Sequence, residues 1–406
     1  MQITAIETIR LGKHPSLLFV QVHTDAGLIG LGETCVGVAA VETYLHETAA
    51  PVALGRDARD VAGVWEALHQ DFIGFSGSSV AVRAASALDL ALWDLLGQAA
   101  GLPVYRLLGG RVRESVRAYN TCAGPSYGSS SSNVRRDRWG LVDEHPTGDF
   151  EDLAASLERP EELVASLLDG GVTAMKIWPF DQAALRTGGQ WIDRADLAEG
   201  VRIVERTRAA AGGAMDIMLE MHSLWSAPAA TTIARAVQHC DLFWIEDPIR
   251  IDSLDALVRF ANSTTIPLTV GETSGSRWDL HRLLATGAVS YLMFDVGWVG
   301  GISEAVRVST LASAYGVPVA PHDCTGPVVL TAGTHLGVHL ANAALQETVR
   351  AFYHGWYREL VTELPVMERG WIRPPEGPGL GIALRPDVLR RPDVSVRTSG
   401  IASRSG

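Results

Sequence analysis

Apolar and polar positions alternate through the first thirty residues in the manner of extended strands. Ile3 to Arg10, Leu17 to Thr24 and Leu28 to Glu33 read as three antiparallel strands, joined by the loop Gly12-Lys13-His14-Pro15 and the turn Asp25-Ala26-Gly27. After residue 38 the period changes. From 38 to 108 apolar positions recur at helical spacing, most clearly over Ala81 to Ala99. There Val82, Ala85, Leu88, Ala91, Leu92, Leu95 and Leu96 share a stripe that Gly101-Leu102-Pro103 stops. Strands followed by helices in one block describe an α+β unit.

Beyond Leu108-Gly109-Gly110, short apolar runs alternate with amphipathic helices. Val116 to Cys122 reads as a strand, and further strands end near Lys176, Glu220, Glu246, Glu272, Asp295, His322 and Glu347. From Glu220 onward these ends are 23 to 27 residues apart; only the interval from Lys176 to Glu220, 44 residues, is longer. A strand, a helix and two short loops make a βα unit of this length. Eight such strands predict a (β/α)8, TIM-like barrel behind an α+β capping domain. The expected division is 1–113 for the cap, 114–358 for the barrel, 359–396 for a segment returning to the cap, and 397–406 for a disordered tail. The long polar stretch 124–149, with Ser129 to Ser132 and Arg135-Arg136-Asp137-Arg138, reads as a mobile insertion beside the site.

Composition narrows the class. With 406 residues, 47% hydrophobic and 20% charged, the chain has ample material for one large core and a smaller domain, which excludes disordered and fibrous classes. A formal net charge of −12 argues against nucleic-acid and anionic-membrane partners and leaves a small anionic substrate open. Cys35, Cys122, Cys240 and Cys324 show no CxxC spacing, so reduced thiols and a cytoplasmic location are expected. Neither a basic start followed by an apolar core nor a membrane-length apolar run is visible.

In a barrel of this kind the strand C-termini share one mouth, and charged residues there are site candidates. Glu220, Glu246 and Glu272 end three successive strands. Three such anions repel one another, and a hard divalent cation neutralises them; oxygen-only ligands favour Mg²⁺ over Zn²⁺. Asp295 and His322 end the next two strands, where the carboxylate would fix the imidazole tautomer and leave the other nitrogen as a base. In Ile217-Met218-Leu219-Glu220-Met221-His222, strand alternation would turn His222 into the mouth beside Glu220.

Several stretches together resemble the enolase superfamily, mandelate racemase-like branch, over nearly the whole chain. They are Asp89-Leu90-Ala91-Leu92-Trp93-Asp94, Leu107-Leu108-Gly109-Gly110, Trp244-Ile245-Glu246-Asp247-Pro248, Gly271-Glu272, Asp295 with Gly300-Gly301-Ile302, Ala320-Pro321-His322, and Pro378-Gly379-Leu380-Gly381. The resemblance implies abstraction of a proton α to a carboxylate, Mg²⁺ as cofactor, His322 as the base oriented by Asp295, and a protonated Glu347 donating to the enolate oxygen. Where many members carry Lys-x-Lys, this chain has Lys176-Ile177-Trp178. The second base is therefore replaced, which implies that Lys176 binds the substrate carboxylate and that Trp178 is an apolar wall. His222 is similar to the histidine that acid-sugar dehydratases such as D-galactonate dehydratase use to protonate the leaving β-hydroxyl, although Glu220 stands where those enzymes usually have Asp. By the same resemblance Lys13, His14 and Val36 to Val38 belong to loops that contact substrate. The expected function is Mg²⁺-dependent dehydration of an aldonate or aldarate to a 2-keto-3-deoxy acid in a homo-oligomer, octamer or dimer. The alternatives are a cycloisomerase or epimerase of a sugar acid or lactone, and an inactive sugar-acid-binding relative.

Overall fold

The computed structural model describes residues 1–70, 79–127 and 150–401. The expected insertion is described only at residues 124–127; its remainder, 128–149, lies outside the described residues, as do 402–406.

Strands β1 (Ile3–Leu11), β2 (His14–Thr24) and β3 (Ile29–Cys35) form an antiparallel sheet covered on one face by the helix Val80–Ala100. The helix lies so close to β3 that a Cβ at Gly30 would sit 2.1 Å from the Ala91 carbonyl oxygen, and one at Gly32 1.8 Å from that of Ala87. Only glycine allows this approach, which buries Ala87, Leu88, Ala91 and Leu95 among the aliphatic side chains of the sheet. Gly101, at φ 66°, ends the helix in a left-handed cap.

Eight parallel strands follow: β4 (Val116–Thr121), β5 (Ala174–Ile177), β6 (Asp216–Glu220), β7 (Trp244–Glu246), β8 (Leu268–Val270), β9 (Tyr291–Phe294), β10 (Val319–Pro321) and β11 (Gln346–Thr348). They pair in chain order, β11 pairs back onto β4, and a bridge between Val319 and Ala343 joins the tenth to the eleventh, so the ring closes as a (β/α)8 barrel. Asp193, Ser226, Ser253 and Ser276 each accept a backbone N–H three residues on and so start the helices behind β5 to β8. Tyr119, Ala174, Met218, Trp244, Met293, Ala320 and Leu345 form one apolar cluster. Two residues further along each strand come Thr121, Lys176, Glu220, Glu246, Asp295, His322 and Glu347, which period-two alternation carries to the mouth. No helix among the described residues is long and apolar enough to cross a membrane.

The chain then adds the hairpin β12 (Val366–Glu368) and β13 (Trp371–Arg373) to the edge of β4 and returns to the cap. Here the expectation of a tail from residue 397 is corrected: β14 (Val394–Gly400) pairs antiparallel with β1 from Leu11↔Val394 to Ala5↔Gly400. Its half-exposed, polar edge lacks the apolar run by which a strand is recognised. His14 and Pro15, expected in a loop, belong to β2.

The Asp89 to Asp94 motif docks the cap onto the barrel. Asp94 accepts the backbone N–H groups of Leu31 (3.0 Å) and Leu380 (2.8 Å), and Asp89 that of Ser303 (3.0 Å). Trp93 Nε1 donates to Ser303 Oγ at 2.9 Å. Burial pushes both carboxyls up to about 7 despite these bonds.

Candidate active site

Glu220 and Glu246 are register partners in adjacent strands, so their carboxylates leave the sheet side by side. Glu272 joins them by a different route. Thr269 is the partner of Glu246, and alternation would turn Glu272 to the side opposite Thr269; Gly271, at φ 124°, breaks the alternation between them. One carboxylate oxygen from each of Glu220, Glu246 and Glu272 lies within 4.8 Å of the others. Burial and the Glu220 charge push Glu246 well above the usual carboxylate range, and burial likewise raises Glu272. A buried, oxygen-only, charge-crowded set of this kind fits a hard divalent cation.

Lys176 occupies the floor of the cluster. Its Nζ lies 2.5 Å from Glu246, 2.9 Å from Glu347 and 3.2 Å from Glu220. An ammonium has three donors, and here all three face carboxylates, so Lys176 bridges the members of the cluster. Burial alone would lower the Lys176 pKa, but Glu246, Glu347, Tyr119 and Glu220 hold it well above the ordinary value. Burial would raise the Glu347 carboxyl, but Lys176, His322 and the Thr121 hydroxyl hold it below its ordinary value. Glu347 also accepts the Asp323 N–H at 3.0 Å.

His322 and Asp295 meet as expected: Nδ1 lies 2.7 Å from Asp295 Oδ2, which also accepts the Thr325 hydroxyl at 2.5 Å. The Gly297 N–H (2.7 Å) fixes the other oxygen of Asp295. Nε2 of His322 faces Glu272 at 3.3 Å. Burial would depress this imidazole, yet Glu272, Glu347 and Asp295 raise it well above its ordinary value.

His222 reaches the cleft, but not by strand alternation. The strand ends at Glu220, and His222 and Ser223 both adopt left-handed conformations, φ 47° and 54°. Two backbone bonds fasten this turn: His222 N to Glu220 Oε1 at 2.6 Å and Ser223 N to the Asp247 carbonyl at 2.6 Å. Such conformations cost energy in residues with a Cβ, so the turn is held by its surroundings. The ring is gripped from both ends, Nδ1 at 2.6 Å from Asp181 Oδ2 and Nε2 at 3.0 Å from the Tyr127 hydroxyl. Trp178 stands edge-on to it at 5.5 Å and is buried. Burial opposes the His222 cation, while Asp181 and Glu220 raise its pKa above the ordinary value.

These groups surround a narrow cleft lined by Lys176, Glu220, His222, Glu272 and His322, by Thr121, Tyr127, Trp298 and Cys324, and by Ser16, Cys35 and Val36 of the cap. His14 is not among them. It stacks on Trp356 at 4.6 Å, and burial lowers its pKa to about 4. Lys13 is exposed and pairs with Glu359. Tyr127, Asp181, Thr121 and Trp298 escaped the sequence reading. Asp181 opens the helix Asp181–Thr187, three residues after Trp178, and its place at a βα junction was the one signal available.

Strand ends that gather a carboxylate cluster between two imidazole–carboxylate pairs define a barrel enzyme equipped for acid–base chemistry. Residues 4–109 match the mandelate racemase / muconate lactonizing enzyme N-terminal domain, and residues 159–388 the enolase C-terminal domain-like family. The chain is 30% identical over 392 residues to the D-galactonate dehydratase of Ralstonia nicotianae, which covers 94% of this chain and 92% of that protein. A mandelate racemase subgroup enolase from Agrobacterium tumefaciens is 44% identical, with a TM-score of 0.86 and coverage of 99% and 100%. An enolase protein from Sargasso Sea environmental sequencing is 39% identical, with a TM-score of 0.86 and coverage of 98% and 99%. The chain belongs to the enolase superfamily, in its mandelate racemase branch. It is an enzyme, and its curated relatives make it a dehydratase, a carbon–oxygen lyase.

Proposed function

We propose that the chain dehydrates a sugar acid, an aldonate or aldarate, to a 2-keto-3-deoxy acid. The observation that carries this reading is the placement of the two histidine–aspartate pairs. His222 follows β6 and His322 follows β10, four places apart in a ring of eight, so they face each other across the cleft with the carboxylate cluster between β6 and β8.

Glu220, Glu246 and Glu272 would hold Mg²⁺. When bound, the ion would offset the negative charge that builds on the substrate carboxylate as the α-proton leaves. His322 takes that proton at Nε2, its Nδ1–H held by Asp295. On the opposite side His222 gives a proton from Nε2 to the β-hydroxyl as the carbon–oxygen bond breaks and water departs. The resulting enol then tautomerises to the keto acid. Lys176 holds Glu220, Glu246 and Glu347 together.

The test is a panel of aldonates and aldarates with Mg²⁺, read out by 2-keto acid formation and by α-proton exchange in D₂O. Keto acid from at least one member is expected. Absence of both turnover and exchange across the panel would refute the reading.

A further inference from the structure

Above the cleft lies an outer vestibule of about 400 Å³, which shares Val36, His222, Glu272 and Trp298 with it. A substrate whose reacting end sits at the carboxylate cluster would extend its far end into this space. Among the described residues, three lysine or arginine side chains line the two spaces: Lys176, Arg250 and Arg83. Lys176 is saturated by carboxylates, and the exposed Arg250 pairs with Asp252 at 2.6 Å. Arg83 forms no ion pair among the described residues. It projects from the capping helix Val80–Ala100, half-buried, with Nη1 donating to the Val36 carbonyl at 3.0 Å and its guanidinium carbon 5.2 Å from the centre of the Trp298 ring. That ring lies 5.3 Å from His322. The guanidinium is therefore held in place, and among the described residues most of its five N–H donors are unclaimed.

We propose that Arg83 binds a second carboxylate at the far end of the substrate, so that this chain selects a dicarboxylic sugar acid, an aldarate, over the matching aldonate. The proposal rests on the sugar-acid reading of the site. An unpaired, half-buried guanidinium in a chain of net charge −12 has acidic side chains available elsewhere, and its planar fork matches a carboxylate with two parallel hydrogen bonds. A terminal hydroxyl supplies one neutral acceptor and leaves the charge uncompensated. The curated relatives are named for an aldonate, D-galactonate.

The experiment compares galactarate with galactonate and glucarate with gluconate on the full chain, as wild type, Arg83→Lys and Arg83→Met. It measures binding by tryptophan fluorescence and turnover by keto acid formation. In the wild type the dicarboxylate of at least one pair is expected to be favoured by about tenfold or more in binding. Arg83→Met should erase that preference, mainly through KM, and Arg83→Lys should keep part of it. Equal affinity within both pairs, no binding of any of the four, or an Arg83→Met loss that is the same for both members of a pair, as a mere brace for Val36 would give, overturns the proposal. Preferential dicarboxylate binding without keto acid formation would sink the dehydratase reading and leave the Arg83 assignment standing. Turnover of aldonates alone would do the reverse.

Discussion

Asp181 holds His222 at 2.6 Å, a second histidine–aspartate pair facing the one that Asp295 makes with His322 at 2.7 Å. Asp181 is itself buried and touches the cleft only through the imidazole. Its role is therefore positioning: it accepts the Nδ1–H and turns Nε2 towards the substrate. Asp181→Asn should lower kcat by roughly 10²-fold while KM stays within a few-fold of wild type. Steady-state kinetics decide this, and a variant whose loss lies wholly in KM would show that Asp181 shapes the pocket rather than the acid.

His322→Asn keeps a hydrogen-bonding side chain of similar reach and removes the base. Keto acid formation and α-proton exchange in D₂O should both fall by at least ~10³-fold, with divalent-cation binding retained. Calorimetric titration with Mg²⁺ checks the second half. Exchange persisting near the wild-type rate would assign proton abstraction to another group.

Glu220, Glu246, Glu272, Asp295, His322 and Glu347 were legible because each ends, or closely follows, an apolar run at a steady pitch, and a barrel sends every such end to one mouth. The partners that give these residues their character were not. Asp181 and Tyr127 lie 41 and 95 residues before His222, on a helix start and a loop that carry no periodic signal. Nothing in the neighbourhood of Glu347 along the chain reveals that Lys176 reaches it. His14 looked like a solvated loop histidine beside Gly12-Lys13, yet the hairpin pairs it with Leu11 and seats its ring on Trp356. The Asp89 and Asp94 motif was visible as a family mark, but its task, capping backbone groups of distant segments, is a property of the docked domains.

Among the described residues, Lys176 is the one lysine or arginine buried among Glu220, Glu246 and Glu347, so Lys176→Met leaves uncompensated charge in the core of the barrel mouth. Breaking a buried ion pair from one side costs on the order of 3 to 5 kcal/mol. The variant should melt well below the wild type in EDTA, and added Mg²⁺ or Mn²⁺ should raise its Tm more than that of the wild type, because the cation takes over part of the lost neutralisation. Equal shifts in both proteins would mean that the cation and the ammonium serve different carboxylates.

His335 lies buried in the helix Pro327–His339, with Nε2 3.2 Å from the Leu380 carbonyl, and burial lowers its pKa to about 4. His14, under the C-terminal segment, is depressed to about 4 as well. For a histidine whose folded pKa lies below its unfolded value near 6.5, the unfolded chain binds the proton first. Its contribution to stability is thus complete above pH ~6.5 and is lost as the pH falls towards 4, by roughly 3 kcal/mol for a fully buried ring. Asp89 and Asp94 act in the opposite sense. Their carboxyls are raised to about 7, so the fold holds protons that the unfolded chain has released, and stability falls as the pH rises from about 4 to 7. The two effects overlap, and the wild-type profile alone does not separate them. Urea unfolding of the wild type and His335→Phe between pH 4 and 7 does. The difference in unfolding free energy should shift in favour of the variant by roughly 3 kcal/mol on going from pH 6.5 to pH 4. A difference that is constant with pH would show that His335 does not titrate in the fold's working range.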